Sequence, residues 1–461
     1  MKKFDVIVIG AGSGLNISSR ADSLGLKVAV VEEGPMGGTC LNRGCIPSKM
    51  LIHSADVAET VRNSGKFGVK SKMTGVDFPF LIKRVSKAVD DESKGIEKRL
   101  KESDNTTLFK GRGEFTGPKT LKVGKETLQG EKIFIVAGTR PSVPSIEGIE
   151  KVPFITSTEA LRLKKQPKTM TVVGGGYIAA ELAHFYSSLG TKVTIVQRNV
   201  LLVPDEDKEV AQTFTRVFSK KPNVRVLLAH VTKKAYMTGK KIALEIEKKE
   251  GGGKKTLISD ELLIATGRIP NADLLKPEKA GIKVNEHGFI QVNEFLETSA
   301  PNVWALGDIA GVYMFKHSAN LEAQYAVNNA FGKEKQPVDY SAMPHAVFSS
   351  PQIAGVGFTE EQLREKKVPY VFGNYSYKGT GMGAALREED GFAKVLVHEK
   401  TREILGCHII GPEASTLIHE VVVAMKNKVK ADDVWKTVHA HPALSEVVQR
   451  AFRMARPFDE D

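Results

Sequence analysis

Cys40 and Cys45 lie in the segment GGTCLNRGCIPSK, Gly37 to Lys49, with four residues between them. They are the side chains of this 461-residue sequence best suited to electron or sulfur chemistry. A structural metal site more often joins Cys-x-x-Cys to a second ligand pair, and the third cysteine, Cys407, lies far along the chain in an apolar, strand-like run. No metal is therefore expected, and Cys407 reads as a buried core thiol. A bridge between Cys40 and Cys45 has a geometric condition. Five residues of regular helix rise ~7.5 Å, whereas bridged Cα atoms lie roughly 4.4–6.8 Å apart. The first cysteine must then sit at an irregular helix entry, or the turn between the two must be distorted; Gly37, Gly38 and Gly44 permit either. In a cytoplasmic chain a bonded pair would be a transient, catalytic disulfide. A further candidate is His441 in HAHPALSE, His439 to Glu446. Imidazole exchanges protons near neutral pH, although a histidine before proline is more often structural.

The elements that must position these groups follow a pattern of strand, glycine turn, helix, strand, which occurs twice. FDVIVIG leads into Gly10-Ala11-Gly12-Ser13-Gly14, a helix and KVAVVEE. KTMTVVG leads into Gly174-Gly175-Gly176-Tyr177-Ile178-Ala179, the helix ELAHFYSSLG and KVTIVQR. Each opening strand is a short continuous apolar run, as expected of a parallel strand covered on both faces. Two such units imply two dinucleotide-binding domains rather than a repeat array. In the first, the glycines let the backbone approach a pyrophosphate at an amide-rich helix start. Glu32, at the end of the second strand, can accept both hydroxyls of an adenosine ribose. Leu15 stands where the third fingerprint glycine belongs, so an ordinary glycine turn is the alternative. The second turn fits G-x-G-x-x-A, but its unit ends at Gln197-Arg198, with no carboxylate for a ribose 2′-hydroxyl. An arginine there accommodates a 2′-phosphate, favouring NADPH over NADH; alternatively Arg198 is a solvated surface residue and either nucleotide binds.

IFIVAGTRP, Ile133 to Pro141, and LLIATGRIPN, ending at Asn271, are apolar strands closed by glycine and proline turns, which mark passages between domains. Residues from about 110 to 130 alternate in the manner of a β-meander, and KKEGGGKKT reads as a hairpin tip. From Met343 onward, GFAKVLVHE, EILGCHIIG and an amphipathic helix near Ala414 to Lys426 indicate a third, α+β domain. The composition agrees: 41% of residues are apolar and 26% charged, enough to bury large cores. Lys and Arg exceed Asp and Glu by 66 − 54 = 12, but the lysines are scattered and form no arm or stripe, so neither nucleic acid nor a membrane surface is expected as partner. No apolar run approaches the ~18–20 residues of a membrane span. Asp5 interrupts the opening run, which reads as a first strand rather than a signal peptide. Three cysteines make no secreted disulfide scaffold, so the cytoplasm is the expected compartment.

GGTCLNRGCIPSK closely resembles the redox segment of the class I pyridine nucleotide–disulfide oxidoreductases, which include dihydrolipoamide dehydrogenase and the glutathione, mycothione and mercuric reductases. The likeness covers nearly the whole chain in the family's order. VWALGDIAG, Val303 to Gly311, resembles its second flavin motif, and HAHPALSE its C-terminal acid/base motif. The resemblance implies an α/β fold with two Rossmann-like domains, for FAD and NAD(P), plus a C-terminal α+β dimerisation domain. Residues 1–147 and 269–338 would form the FAD domain, 148–268 the NAD(P) domain and 339–461 the interface domain. It implies a flavin-dependent enzyme in which Cys45 faces the flavin as a thiolate and Cys40 is the interchange thiol. Lys49 would approach the flavin and pair with Glu181, and His441, oriented by Glu446, would serve the thiols as acid and base. Gly10, Gly12, Gly14, Glu32, Gly38, Thr39, Lys49, Gly138 and Asp308 would hold FAD. Gly174, Gly176, Ile178, Glu181, Gln197, Arg198 and Gly267 would hold NADPH or NADH. His441 would reach the thiols across a homodimer interface. Electrons would pass from NAD(P)H through FAD and the Cys40–Cys45 pair to a small disulfide, or in reverse from a small dithiol or a lipoyl domain.

CLNRGCIPSK is close to the dihydrolipoamide dehydrogenase form, yet the sequence departs from it. Arg43 replaces a small apolar residue and either sits near the thiols or faces solvent. The short first glycine loop, its missing third glycine and HSANLEAQ, His317 to Gln324, look more like mycothione reductase, and the missing acid at Gln197 departs from the NADH-using dihydrolipoamide dehydrogenases. Ala137 replaces the threonine of many relatives. The ending RPFDED lacks the cysteine pair of mercuric reductases, and no lipoyl or metal-binding domain precedes the first strand. A dihydrolipoamide dehydrogenase-like activity is therefore expected, with an NADPH-dependent reductase of a low-molecular-weight disulfide as the alternative. A flavoprotein that only binds or assembles is disfavoured by the intact set of site residues.

Overall fold

The computed structural model describes residues 1–455; the ending RPFDED lies outside them. The apolar run of the first strand, Lys2–Ile9, is covered on both faces, and Val6, Ile7 and Val8 are wholly buried. It pairs in parallel with Val28–Glu32 on one side and Glu126–Ile135 on the other, in the registers Ile7↔Ala29 and Ile7↔Ile133. Thr106–Lys110 extends the sheet beyond Val28–Glu32. Besides Lys2–Ile9, Glu126–Ile135 serves two further partners along its length. Its first half closes an antiparallel meander with Gly113–Gly117 and Thr120–Val123, and its second half takes the late strand Val303–Ala305 in parallel.

Between those two uses of one strand the chain makes a second body on the same plan. Val224–Leu227, Lys192–Val196, Thr169–Val173 and Glu261–Ile264 form a parallel sheet in that order, and His230–Thr238, Lys241–Lys248 and Lys255–Ser259 form an antiparallel meander. The outgoing segment Thr139–Pro141 and the returning segment Arg268–Pro270 pair with each other antiparallel, so both passages run through one two-stranded ribbon. From Pro344 a five-stranded antiparallel sheet follows, ordered Pro344–Val347, Ile353–Gly357, Ile404–Ile410, Phe392–His398, Tyr370–Ser376. Helices Ala414–Lys426 and Glu446–Met454 pack on it, and Cys407 is fully buried in its core. The long helix Cys45–Asn63 packs against Tyr177–Ser188 of the second body, and Leu51, Ile52 and Ala55 share one buried apolar cluster with Ala179, Ala183 and Phe185. That helix pair joins the cysteine segment to the second glycine turn.

Candidate active site

Gly44 interrupts the cysteine segment and splits it into a short helix, Gly38–Arg43, and the helix that begins at Cys45. A Cβ at Gly44 would lie 2.9 Å from the Thr39 carbonyl oxygen, so only glycine lets the two turns close up. The backbone break removes the regular helical rise and puts the two thiols in hydrogen-bond contact. Both are free and half-buried. Their environments push them apart. The hydrogen bond donated by Cys40 lowers the Cys45 pKa to about 6; burial opposes the shift, and Lys49 and the helix start at Cys45 reinforce it. Cys40, the donor facing that thiolate and partly desolvated, is raised well above the ordinary thiol range. The two sulfurs thus titrate as a coupled pair in which Cys45 is the more acidic and Cys40 the less.

Lys49 lies one helical turn after Cys45, on the same face. Its Nζ donates to both oxygens of Glu181, at 2.9 and 2.8 Å, and sits 4.6 Å from the centre of the Phe348 ring. The backbone N–H of Phe348 donates a third hydrogen bond to Glu181, at 3.0 Å. Three bodies thus meet here: Lys49 from the first, Glu181 from the second and Phe348 from the C-terminal one. Lys316 adds another cation. Its Nζ donates to Ser13 Oγ at 2.9 Å, and burial lowers its pKa while the two sulfurs oppose that shift.

One cavity of about 550 Å³ connects Cys40, Cys45, Lys49 and Glu181 with the first glycine turn. Gly10, Gly12, Glu32, Gly38 and Thr39 line it, and so do Gly138, Asp308 and Ile178. Glu32 is fixed at its mouth: Ala11 N–H donates to one carboxylate oxygen at 2.8 Å and Gly34 N–H to the other at 2.7 Å. Asp308 accepts the Thr139 hydroxyl at 2.8 Å, and Arg268 donates to the Thr139 hydroxyl and carbonyl oxygens, each at 2.7 Å. The turn and the cysteine segment touch back to back, for a Cβ at Gly38 would lie 2.7 Å from Gly12 Cα. Arg43 points neither to the thiols nor only to solvent. It lines the cavity near Gly34, where a Cβ would lie 3.0 Å from its Nη2, and its Nε is buried without a hydrogen-bond partner. An elongated cleft with a fixed acid, close backbone and an unsatisfied guanidinium N–H suits a dinucleotide with an anionic pyrophosphate.

The remaining residues singled out in the sequence lie apart from this cavity. Gly14 is beneath the turn, against Val8. Gly174, at φ +112°, lies so close to the next strand's end that a Cβ would be 2.1 Å from the Ala265 carbonyl oxygen. Gly176 is open, and Gly267 lies in the returning turn at φ +105°. Gln197 is tucked under Gly175, its amide donating to the Leu201 carbonyl at 3.3 Å, while Arg198 is exposed. His441 is 70% exposed and does not line the cavity of its own chain. Its Nδ1 lies 3.1 Å from Glu446 Oε1. The His441 contact, then the Ala443 N–H, hold the Glu446 carboxyl below its ordinary range, and Arg450 also donates to it, at 3.1 Å. Sequence reading missed Thr139, Arg268, Lys316, Phe348 and Arg450. The first two had a signal, since AGTRP and ATGRIP are similar turns that could have been matched to each other. The Phe348 contribution is a backbone amide, which no residue type announces.

A cleft for a dinucleotide, flanked by an asymmetric dithiol and a second nucleotide-type turn, defines an oxidoreductase that passes electrons through sulfur. Comparison with known proteins agrees. Residues 4–323 match the pyridine nucleotide-disulphide oxidoreductase family and residues 343–452 its dimerisation domain. The dihydrolipoyl dehydrogenase of Chlamydia muridarum is 32% identical over 450 residues, covering 96% of this chain and 95% of the relative. That of Bacillus subtilis is 34% identical over 457 residues, covering 98% and 96%. Among solved structures, the HOCl-induced flavoprotein disulfide reductase RclA from Escherichia coli superposes with a TM-score of 0.87 at 29% identity, covering 98% of this chain and all of that one. The chain belongs to the pyridine nucleotide-disulphide oxidoreductase family. It is a flavin-dependent, dihydrolipoamide dehydrogenase-like disulfide oxidoreductase that uses FAD and a nicotinamide nucleotide. It carries a dimerisation domain, and no helix among the described residues is long and apolar enough to cross a membrane.

Proposed function

We propose that the protein exchanges electrons between a nicotinamide nucleotide and a dithiol/disulfide of the lipoamide type, with Cys45 as the flavin-facing thiolate and Cys40 as the interchange thiol. The opposed acidities of the two sulfurs carry this reading. Bound FAD supplies the two-electron carrier between nucleotide and sulfur. Every other task falls to the chain. Cys45 keeps its negative charge under the influence of the Cys40 thiol and Lys49, while Cys40 keeps its proton until a base removes it. Glu181 keeps the Lys49 ammonium in place at the cavity wall. Glu32, Thr39 and Asp308 are assigned to the dinucleotide, and residues 1–147 with 269–338, 148–268 and 339–461 are assigned as the three domains.

His441 is assigned as the base for Cys40 in a second copy of the chain, oriented by Glu446. Its exposed imidazole on a buried, doubly anchored carboxylate suits a site completed by a partner. The physiological dimer then has two shared sites, and the cytoplasm is the compartment in which such a thiol pair is kept exchangeable. A second reading, NADPH-dependent reduction of a low-molecular-weight disulfide, is favoured by the exposed Arg198 at a strand end without a carboxylate.

Steady-state rates with NADH and NADPH, each with lipoamide and with low-molecular-weight disulfides, test both. Lipoamide turnover well above the other disulfides is expected; the reverse, with NADPH preferred, overturns the first reading in favour of the second. Cys40→Ser should lose disulfide turnover while NAD(P)H still bleaches the flavin. Flavin-loaded wild-type protein that turns over no disulfide would leave only a binding or assembly role.

A further inference from the structure

Three adjacent strands of the C-terminal sheet place His345, Gly355 and His408 in one row, paired His345↔Gly355 and Gly355↔His408. Two histidines two strands apart do not ordinarily meet, since neighbouring strands are about 4.8 Å apart and a side chain stands between them. Here the middle residue has none. A Cβ at Gly355 would lie 2.7 Å from His345 Nε2 and 2.9 Å from His408 Nδ1, so both rings lean into the space that the glycine leaves. Glu206, wholly buried and reached from the loop after Lys192–Val196, closes the gap from the second body, with Oε2 2.9 Å from His345 Nε2. The three donor atoms lie within 4.8 Å of one another, the only such group of three among the described residues.

His408 makes this more than a hydrogen-bonded pair. Its ring is fully buried, and Nε2 contacts the Phe358 carbonyl oxygen at 2.8 Å, which requires the proton on Nε2. Nδ1 then presents a lone pair, and it has no hydrogen-bond partner. A buried, unsatisfied acceptor is unfavourable unless something fills the space it faces. A second-ring N–H anchored on a carbonyl is how a metal-bound histidine is oriented. Glu206 is supported in the same way, its other oxygen accepting the Tyr177 hydroxyl. The nearest charges are accounted for: Asp207 pairs with Lys394, at 3.1 and 3.2 Å, and Lys394 also with Glu360 at 2.6 Å.

We propose that Glu206, His345 and His408 form a site for a divalent transition-metal ion, of which Zn²⁺ is the type. Two imidazoles and one carboxylate are a ligand set for that ion, with water as the fourth ligand. Bonds of about 2.0–2.2 Å put tetrahedral donors roughly 3.3–3.5 Å apart, so the His345–Glu206 pair, at 2.9 Å, opens slightly and the wider separations, within 4.8 Å, close by at most about 1.5 Å. On binding, His345 gives up its Nε2 proton, to its own Nδ1 through solvent or to solvent itself, and no electrons move. The ion would tie the nucleotide-binding body to the C-terminal sheet and fix the carboxylate that holds Tyr177, a cavity-lining side chain.

The probe is Zn²⁺ alone, added by equilibrium dialysis to the flavin-loaded Cys40→Ser/Cys45→Ser protein, which removes the competing thiols. About one zinc per chain is expected, with a zinc-dependent rise in thermal midpoint. His345→Gln, His408→Gln and Glu206→Gln should each weaken binding at least about 100-fold and abolish the rise. His345 is partly exposed, so its variant carries the test if His408→Gln fails to fold. Absence of bound zinc at micromolar free metal, or unchanged zinc occupancy in folded, flavin-loaded His345→Gln, overturns the site.

Discussion

Gly10 and Gly174 open the two glycine turns in the same way. Both have φ above +100°, and a Cβ on either would strike a carbonyl oxygen of the neighbouring strand, at 2.3 Å for Val136 and 2.1 Å for Ala265. Beyond that point the turns diverge. The first continues into a pinned carboxylate, since both oxygens of Glu32 take backbone N–H donors and the acid faces the cavity. In the second the corresponding side chain, Gln197, folds back beneath its own turn, and Arg198 beside it is exposed. One supersecondary unit is therefore used twice with the opening glycine fixed by sterics and the second strand end free to change the chemistry it presents. Steric positions in such a unit set the fold, and strand-end positions set the ligand.

That division can be broken by experiment. Gly10→Ala and Gly174→Ala should behave alike. Each forces a Cβ onto backbone that cannot move, costing about 3 kcal/mol or more; thermal unfolding would expose any asymmetry. Glu32→Gln should act on one side only. Losing a charged acceptor is worth about 1.5–3 kcal/mol, or roughly 10–100-fold in flavin affinity, read by flavin retention on dialysis, with nicotinamide KM unchanged. Arg198→Ala should raise the KM for NADPH roughly tenfold while leaving NADH unaffected, because the lost interaction is with a phosphate that only NADPH has. An equal change for both nucleotides would show Arg198 to be a surface residue.

The parallel strands of both sheets were legible in the sequence because a strand buried on both faces is a mostly apolar run, as FDVIVI, broken only by Asp5, and TMTVV are. The broken helix between Cys40 and Cys45 was legible too, because two fixed lengths conflict and glycines flank the pair. Three features were not. Leu15 suggested a missing packing glycine, but Gly14, one residue earlier, approaches the strand so closely that its Cβ would meet Val8 Cγ1 at 2.7 Å; register within a turn is a three-dimensional fact. Arg43 could be placed only once Gly34 was seen beside it. The row of His345, Gly355 and His408 depends on strand order, and no local pattern encodes which strands become neighbours.

Gly14 and Gly176 give the finest test of the comparison, because both belong to a glycine turn and neither has a positive φ. At Gly14 an added methyl meets Val8, itself wholly buried between helix and sheet, so Gly14→Ala should cost about 1–3 kcal/mol. At Gly176 the backbone has φ −84° and nothing lies within 4 Å of the added atom. Gly176→Ala should therefore stay within about 0.5 kcal/mol of the parent in thermal unfolding. It should still raise the KM of the nicotinamide nucleotide, because the space a Cβ fills there is the space a pyrophosphate uses to reach the helix start. A variant as stable as the parent with unaltered nucleotide KM would mean that the second turn, for all its likeness to the first, does not carry the phosphates.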